Sequence, residues 1–418
     1  MKKIYTLISA LFFLIGMTVN AQVTDNVSVG SSYSKQAYYN VSTGEVTQIS
    51  NTDWDIAFSN LGETDGAIFI NESAILSGTP LEIYEPTNYI WEDPIEFDPN
   101  LHNEDSRLFN PEESWEEGAF NTIRDPEDPN DYGWGYLNTN NNTVEGLLIF
   151  VIKNRDGSFL KIQVNELVNG DYTFRYADLD GSNENTVTLS KADAGDSPFI
   201  YFSFDSGSTI DVPSNYDLIF MRYTTPLDDG NGNIIYQPVT GVLLGPGTEG
   251  VAARGIDPAT VDEANYADQY TATPSTIGYE WKFFSFETGW NIIGDEAYFI
   301  KTKSGEKYKI VFMDFGGSTT GITTLEKTYL GMVSVKAIYK EEDQFIIAPN
   351  PCSNVIHFQN IPVAGLPLKI HNQTGSMVFS GTIDNRTFNI PEDWVSGNYF
   401  VTFNHQNKII TKRFQVIK

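Results

Sequence analysis

The sequence predicts an all-β protein: a large antiparallel β domain with short helices, followed by a small immunoglobulin-like β-sandwich. Three observations lead to this fold class. Short runs rich in Val, Ile, Tyr, Phe and Thr recur along the 418 residues, clusters of turn-forming residues separate many of them, and the charge changes sign near residue 345. With 13% aromatic residues and one cysteine, the chain has enough apolar material for a core and cannot form an internal disulfide.

The strand predictions rest on eight runs of this composition. Two pairs of runs are predicted to form hairpins, one across the turn at Arg155-Asp-Gly157 and one across the turn at Ser304-Gly305. The eight runs are Asp53–Phe58, Gly146–Lys153, Phe159–Asn165, Asp171–Tyr176, Tyr216–Tyr223, Trp281–Phe286, Ala297–Lys301 and Tyr308–Phe315.

Two helix starts are predicted beside the sheets. Asn110-Pro-Glu-Glu113 and Asp257-Pro258 each place a capping residue before a proline, which is favoured at the first position of a helix.

An acidic stretch lies at residues 92–131. It holds fourteen acidic residues, only Arg107 and Arg124 as basic residues, and five prolines. Such a composition repels itself and buries little, so we expect a solvated insertion loop with one or two helical turns. A lid that binds a cation or a partner is the alternative interpretation.

The ends of the chain predict export and a separate last domain. Residues 1–21 have two lysines, the apolar run Ile4–Met17 and small residues before position 22, which is typical of a cleaved signal peptide and too short for a membrane span. Residues 22–338 form the predicted large domain and 339–346 a polar linker. Residues 347–418 form the predicted sandwich; six basic and three acidic side chains give it a net charge of +3.

Composition and motifs exclude several classes of function. The chain carries a net charge of −29, which disfavours nucleic acid and anionic membrane surfaces as partners. His102 is the one histidine outside the last domain, and the motifs typical of nucleophilic hydrolases, phosphate loops, zinc proteases and dinucleotide-binding folds do not occur. The sequence therefore favours a binding protein over an enzyme, although a glycosidase carboxylate pair stays open among so many acids.

Calcium binding is not supported. Asp178–Asn183 and Asp229–Asn233 alternate oxygen-bearing side chains, but neither has the glycine and the final acid of an EF-hand loop. Both are predicted to be hairpin turns.

The large domain resembles the HmuY family. The resemblance rests on an ordered set of blocks across most of residues 27–335: Asp53–Phe58, Tyr216–Thr224 with Val239–Leu243, Trp281-Lys282, Tyr298–Thr302 and Gly305–Phe312. It implies an exported β-rich protein that holds haem and passes it to an outer-membrane receptor. The acidic stretch is the expected place of this chain's additional length.

The resemblance implies candidate haem contacts that differ from the family's type member. That member holds iron through two histidines, which a domain with one histidine cannot provide, whereas related members use methionine, a soft thioether ligand. Met221, Met313 and Tyr223 are therefore the candidate haem contacts, and Met332 follows close by. Each has an alternative role in a core or a sheet. Trp54 and Trp281 are expected to be core residues.

The last domain resembles the C-terminal sorting domain of the type IX secretion system. The resemblance rests on Ala348–Pro351, Val355–Phe358, Leu368–His371, Thr374–Val378, Phe388–Ile390, Ser396–Val401 and Lys412–Val416, whose alternation also predicts about seven strands. It implies contact with the secretion machinery, transport across the outer membrane and a secreted or cell-surface location. Its histidines, His357, His371 and His405, are therefore not expected to bind haem, and Cys352 is expected to be incidental.

Two functions follow. The first is a surface protein that binds haem or a related small ligand for uptake, with a flat apolar cleft lined by strand aromatics. The second is adhesion or protein binding on the same β scaffold, because the fold alone does not decide the function.

Overall fold

The computed structural model describes residues 22–85, 89–98, 106–332, 346–359, 366–383, 387–405 and 408–418. Contacts divide the chain into two compact units between residues 333 and 334. We call residues 22–332 the body and residues 346–418 the tail. The predicted signal peptide, His102 and residues 339–345 of the predicted linker lie outside the described residues.

The regular secondary structure of the described body is almost entirely β-strand, which confirms the fold class. A single α-helical turn, Gly317–Thr320, and five short 3-10 helices at Ser31–Tyr33, Ala119–Asn121, Lys191–Ala194, Glu263–Tyr266 and Pro274–Thr276 interrupt it. Its strands are β1 (Gln22–Ser28), β2 (Lys35–Tyr39), β3 (Val46–Ser50), β4 (Ile56–Ser59), β5 (Ile68–Ile70), β6 (Glu82–Tyr84), β7 (Arg107–Leu108), β8 (Gly135–Asn138), β9 (Thr143–Gly146), β10 (Phe150–Lys153), β11 (Phe159–Val168), β12 (Asp171–Asp178), β13 (Asn185–Ser190), β14 (Phe199–Ser203), β15 (Ser208–Ile210), β16 (Leu218–Asp228), β17 (Ile234–Leu244), β18 (Glu249–Arg254), β19 (Lys282–Ser285), β20 (Gly289–Ile292), β21 (Glu296–Lys301), β22 (Glu306–Phe315) and β23 (Ile322–Met332).

These strands form four larger antiparallel sheets and one hairpin. The first outer sheet has the order β1-β23-β22-β21-β18, and the first inner sheet has the order β17-β16-β2-β3. The second inner sheet has the order β15-β14-β4-β5. The second outer sheet has the order β13-β12-β11-β10-β6-β7, with β9 joining β11 and β8 pairing with β9. Strands β19 and β20 form the separate hairpin.

Side-chain alternation along the inner strands builds three apolar layers. On β16, Leu218 and Phe220 pack into a core with the first outer sheet, whereas Ile219 faces the other way. On β4, Phe58 packs into a core with the second outer sheet, and Ala57 faces away from it. Because successive residues of a strand point to opposite faces, each inner sheet has a second apolar face. These second faces line a middle layer between the inner sheets.

Both predicted hairpins are confirmed. Strands β10 and β11 pair from Lys153 with Phe159, and β21 and β22 pair from Lys301 with Lys307. Gly157 and Gly305 turn the chain with φ values of 86° and 85°, which favour glycine. The two aspartate-rich loops also lie at hairpin turns, after β12 and β16.

The two predicted helix starts are wrong. The residues after Asn110 are irregular, because its amide pairs with β5: Oδ1 accepts from the Ile70 N–H at 3.1 Å, and Nδ2 donates to the Ile70 carbonyl at 2.7 Å. Asp257 closes a turn by accepting from the Ala259 N–H at 2.9 Å. The Asn110 side chain thus bonds to a strand, whereas the Asp257 side chain makes the bond of a helix cap but only a turn follows it.

The acidic stretch is irregular, as expected, but its described part is not simply a solvated loop. Leu108, Phe109, Ala119 and Phe120 are buried, and the Asn121 side chain accepts from the Ile68 N–H at 2.9 Å. The few apolar residues among the acids therefore anchor this stretch to the body.

The described tail contains seven strands in two sheets. Its strands are β24 (Ile346–Ala348), β25 (Val355–Gln359), β26 (Leu366–Asn372), β27 (Met377–Ile383), β28 (Thr387–Asn389), β29 (Gly397–His405) and β30 (Lys408–Val416). The sheets have the orders β24-β25-β28 and β27-β26-β29-β30 and share one hydrophobic cluster. Cys352 is buried in that cluster, with Sγ 3.3 Å from the Gln415 carbonyl oxygen. The immunoglobulin-like character of this domain stays a prediction.

Candidate ligand cavity

A narrow cavity of about 60 Å³ lies in the middle layer, between the two inner sheets. The first inner sheet contributes Gln36, Tyr38, Ile219, Met221, Tyr223, Thr224 and Leu243 to its wall. The second inner sheet and its connections contribute Trp54, Ala57, Phe69, Ile70, Glu72, Phe199 and Tyr201. Asn110, Pro111, Glu112, Trp115 and Pro274 complete the lining.

Two of the three predicted haem contacts line this cavity. Met221 is half-buried on β16, and Tyr223 follows two residues later on the same face, 4% exposed. Met313 lies on β22 in the first outer sheet, 48% exposed and away from the cavity lining. Met332 is also exposed, at the end of β23. The structure thus brings Met221 and Tyr223 together but not Met313.

The Tyr223 hydroxyl is buried without a hydrogen-bond partner among the described residues. Its ring lies against Gly241, where a Cβ atom would approach the ring to 3.0 Å, and its hydroxyl oxygen lies 3.6 Å from the position of a Cβ atom at Gly278. Burial raises the pKa of Tyr223 well above its usual value, so the phenol stays neutral. A neutral phenol that lacks a partner can both donate to and accept from a ligand.

The two tryptophans that the sequence assigned to the core are both buried. Trp281 stacks on Phe312 in the core with the first outer sheet, with ring centroids 4.1 Å apart. Trp54 packs edge-on against Tyr201 at 5.0 Å, and its Nε1 donates to Gln36 Oε1 at 3.2 Å. Trp54 is therefore a wall of the cavity as well as a packed residue.

Glu72 is the main lining residue that the sequence did not indicate. It is 4% exposed, and its carboxylate accepts from the Asn110 N–H at 2.9 Å and from the Thr224 N–H at 3.2 Å. Burial raises the pKa of Glu72 to about 7. Its only sequence signal is a polar triplet, Asn71–Ser73, which the structure buries completely.

A short part of the acidic stretch, residues 110–115, lies along the cavity; we call it the covering segment. Trp115 Nε1 donates to the Leu244 carbonyl at 2.8 Å, and Glu112 Oε1 accepts from Thr225 Oγ1 at 2.9 Å. Burial raises the pKa of Glu112 also. The covering segment is thus bonded to both inner sheets, because Asn110 is paired with β5.

The lining has negative charges only. Glu72 and Glu112 supply its carboxylates, and none of the residues that line the cavity is a lysine, arginine or histidine. Arg107 is the cation that acts on the Glu72 carboxylate, but it lies outside the lining, 3.6 Å from Glu82. The lining of the cavity therefore combines two carboxyl groups with aromatic walls.

Haem does not fit the cavity in this conformation. The volume of about 60 Å³ lies far below the roughly 300–1,000 Å³ of pockets that hold drug-sized ligands. Met221 is the one sulfur-bearing side chain in the lining. Within the described ranges, no group of three or more His, Cys, Asp or Glu side chains is placed to hold a metal ion.

Two parts of the chain match known protein families. Residues 32–177 match the family described as HmuY protein, and residues 346–418 match the secretion system C-terminal sorting domain. Both predicted resemblances are confirmed. The sorting domain establishes export to the cell surface or secretion. The HmuY match includes Trp54, Glu72 and the covering segment, whereas Met221 and Tyr223 lie beyond it.

Two solved structures are similar at low levels. Apo PinO from Porphyromonas gingivitis is 10% identical. The match covers 74% of this chain and 98% of that chain with a TM-score of 0.23. PorZ, a type IX secretion component of Porphyromonas gingivalis, is 12% identical. The match covers 90% of this chain and 55% of that chain with a TM-score of 0.17. These scores support no further argument. No curated protein matches the chain, and no described helix is long and apolar enough to span a bilayer.

Proposed function

We propose that the body is an exported carrier, not a catalyst, that binds a small ligand in the cavity between the inner sheets. The carrying observation is the buried Tyr223 hydroxyl, which lacks a partner among the described residues and lines an aromatic cavity. A buried polar group without a partner costs about 1–3 kcal/mol, and a ligand that bonds to it recovers that cost. The HmuY match supports a binding role, and an outer-membrane receptor is the proposed recipient of the ligand.

If the ligand is haem, Met221 is the residue of the cavity that would contact it. Binding there requires the inner sheets to separate and the covering segment to move, because the closed cavity is too small. A ligand smaller than haem, or one that inserts only a head group, needs no such movement.

A haem titration distinguishes binding of haem from binding of a smaller ligand. A shifted Soret band that Met221→Ala abolishes and Met313→Ala preserves would identify haem as the cavity ligand. Met313 is a matched control because it is an exposed methionine away from the cavity. We expect the wild-type protein to leave the spectrum of haem unchanged.

Protein binding is the second candidate function, supported by the β19–β20 hairpin. Phe283 and Phe284 are half exposed, Phe286 is fully exposed, and the Phe284 ring packs against Trp290 at 5.4 Å. Exposed aromatic clusters of this kind often mark contact surfaces. Substituting Phe284 and Phe286 by serine should reduce attachment of the protein to host or bacterial surfaces if the hairpin is adhesive, and leave ligand binding in the cavity unchanged.

A further inference from the structure

We infer that the ligand of the cavity between the inner sheets is a small organic ammonium cation, held against aromatic rings with its charge facing Glu72 and Glu112. This inference rests on the proposed binding function and names the chemical class of the ligand. It follows from three properties of the lining: its charge, its aromatic walls and the free Tyr223 hydroxyl.

No cation lines the cavity beside the two carboxylates, and Arg107, which acts on Glu72 from outside the lining, is paired with Glu82. Neither Glu72, which is buried, nor Glu112, which is partly buried, forms an ion pair with a described residue. Glu72 accepts two backbone N–H bonds, which leaves carboxylate lone pairs available for another donor. A buried carboxylate with no ion-pair partner is costly, and a cationic ligand would supply the missing charge.

The walls suit a cation with an apolar body. Trp54, Trp115, Tyr38 and Tyr201 line the cavity together with Phe69 and Phe199. The Trp115 ring centroid lies 5.7 Å from that of Phe69 and 5.4 Å from that of Phe199, so these rings form one continuous wall. Ammonium groups are attracted to the faces of such rings, most strongly to tryptophan.

The Tyr223 hydroxyl is the independent sign of a ligand. It is nine-tenths buried, lines the cavity and has no partner among the described residues. Its oxygen can accept a hydrogen bond from an ammonium N–H or contact the polarised methyl groups of a quaternary ammonium. The negative charge of Glu112, which acts on this phenol, adds to the attraction for a cation.

Other kinds of ligand account for fewer features of the cavity lining. An anion would be repelled by both carboxylates. A neutral apolar molecule would fill the volume but leave the phenol without a partner and the charge of the carboxylates without a cation in the lining. A few water molecules would fit in about 60 Å³ and satisfy the polar atoms, but they would leave the aromatic surface wet.

The inference predicts a pH dependence. Glu72 faces the Asn110 and Thr224 N–H groups, with Arg107 as the nearby cation; Glu112 lies near Glu113 and Glu280. Because the pKa of Glu72 is about 7, acidification from pH 8 to pH 6 neutralises it. The affinity for a cation should fall by several-fold over this range, while the affinity for a neutral molecule should not change.

Calorimetric titration of the full chain with trimethylammonium chloride tests the inference, with tert-butanol as a neutral probe of similar size. We expect trimethylammonium to bind more tightly than tert-butanol. Glu72→Gln should weaken cation binding by about tenfold or more, and Tyr223→Phe by several-fold. Glu145→Gln is the matched control, because Glu145 is exposed on β9 and far from the lining. Glu112→Gln replaces Glu72→Gln if circular dichroism shows that the latter fails to fold.

The outcomes separate the inference from the proposed function. Equal binding of both probes, abolished when Ala57→Leu fills the cavity, would overturn the cation and keep the binding function. Binding of neither probe to the wild-type protein would overturn both. Cation binding that persists unchanged in the Glu72 and Glu112 variants would also overturn the inference, because the charge would then lie elsewhere.

Discussion

The core between the second inner and second outer sheets differs sharply from the middle layer. In that core Phe58 is fully buried between Tyr172 and Phe174, with ring centroids 5.0 Å away in each case. The middle layer has similar aromatic content but also holds a buried carboxylate, Glu72, and the unpartnered Tyr223 hydroxyl. Both layers are made by the same alternation along β4 and β14. One sheet can thus supply stability with one face and the proposed binding surface with the other.

The largest expected effect is a loss of stability when packing is removed from the core between the second inner and second outer sheets. Phe58→Ala should lower the free energy of unfolding of the body by about 3–5 kcal/mol, because it removes a fully buried ring and leaves a cavity. Urea unfolding followed by circular dichroism measures this. Phe286→Ala, at a fully exposed phenylalanine, should change it by less than about 0.5 kcal/mol. Equal effects of the two substitutions would contradict the assignment of this core.

The second-largest expected effect is a change of protein stability with pH, caused by Glu72. Its pKa of about 7 lies above the value of about 4.3 expected in the unfolded chain, so the folded state binds more protons between these values. The stability contribution of Glu72 is fully present below about pH 4 and is lost as the pH rises through about 7. The loss amounts to about 4 kcal/mol, from 1.36 kcal/mol per pKa unit.

Thermal unfolding from pH 4 to pH 9 measures this contribution. Subtracting the profile of Glu72→Gln from that of the wild type isolates it, whereas Glu145→Gln should leave the wild-type profile unchanged. A difference profile that is flat with pH would mean that Glu72 is solvated and not part of a buried layer.

A smaller effect is expected for the covering segment. Asn110→Ala removes the two side-chain bonds to Ile70 and the bond that its Oδ1 accepts from the Ala119 N–H at 3.1 Å. The loss should be about 1–3 kcal/mol, with faster amide hydrogen exchange in residues 110–115. Asn140→Ala, in an exposed turn, is the control. Unchanged exchange would show that other contacts hold the segment.

The smallest expected effect compares two methionines. Met221→Ala should cost about 1 kcal/mol, because Met221 is half-buried against the middle layer. Met313→Ala should cost less than about 0.5 kcal/mol, because its side chain is 48% exposed. Urea unfolding measures both. A larger cost at Met313 would indicate a buried contact on the first outer sheet.

The sequence predicted the features that depend on neighbouring residues. The strands, the turns at Gly157 and Gly305, and the seven strands of the tail follow from alternation and turn chemistry within about ten residues. The family resemblances were also recognisable, because their motifs are ordered along the chain. The helix start at Asn110 failed because its side chain bonds to β5, and the one at Asp257 failed because its capping bond is followed by only a turn.

The candidate site depends on contacts between residues that are distant in the sequence. Trp54, Glu72, Glu112 and Tyr223 are spread over about 170 residues, and they meet because β4, β5 and β16 belong to facing inner sheets. Local composition made the acidic stretch look solvated, yet its covering segment bonds to both of those sheets. The positions of the strands could be predicted from the sequence alone, since they depend on local periodicity. Which polar side chains are buried together depends on long-range strand pairing, and no local pattern encodes it.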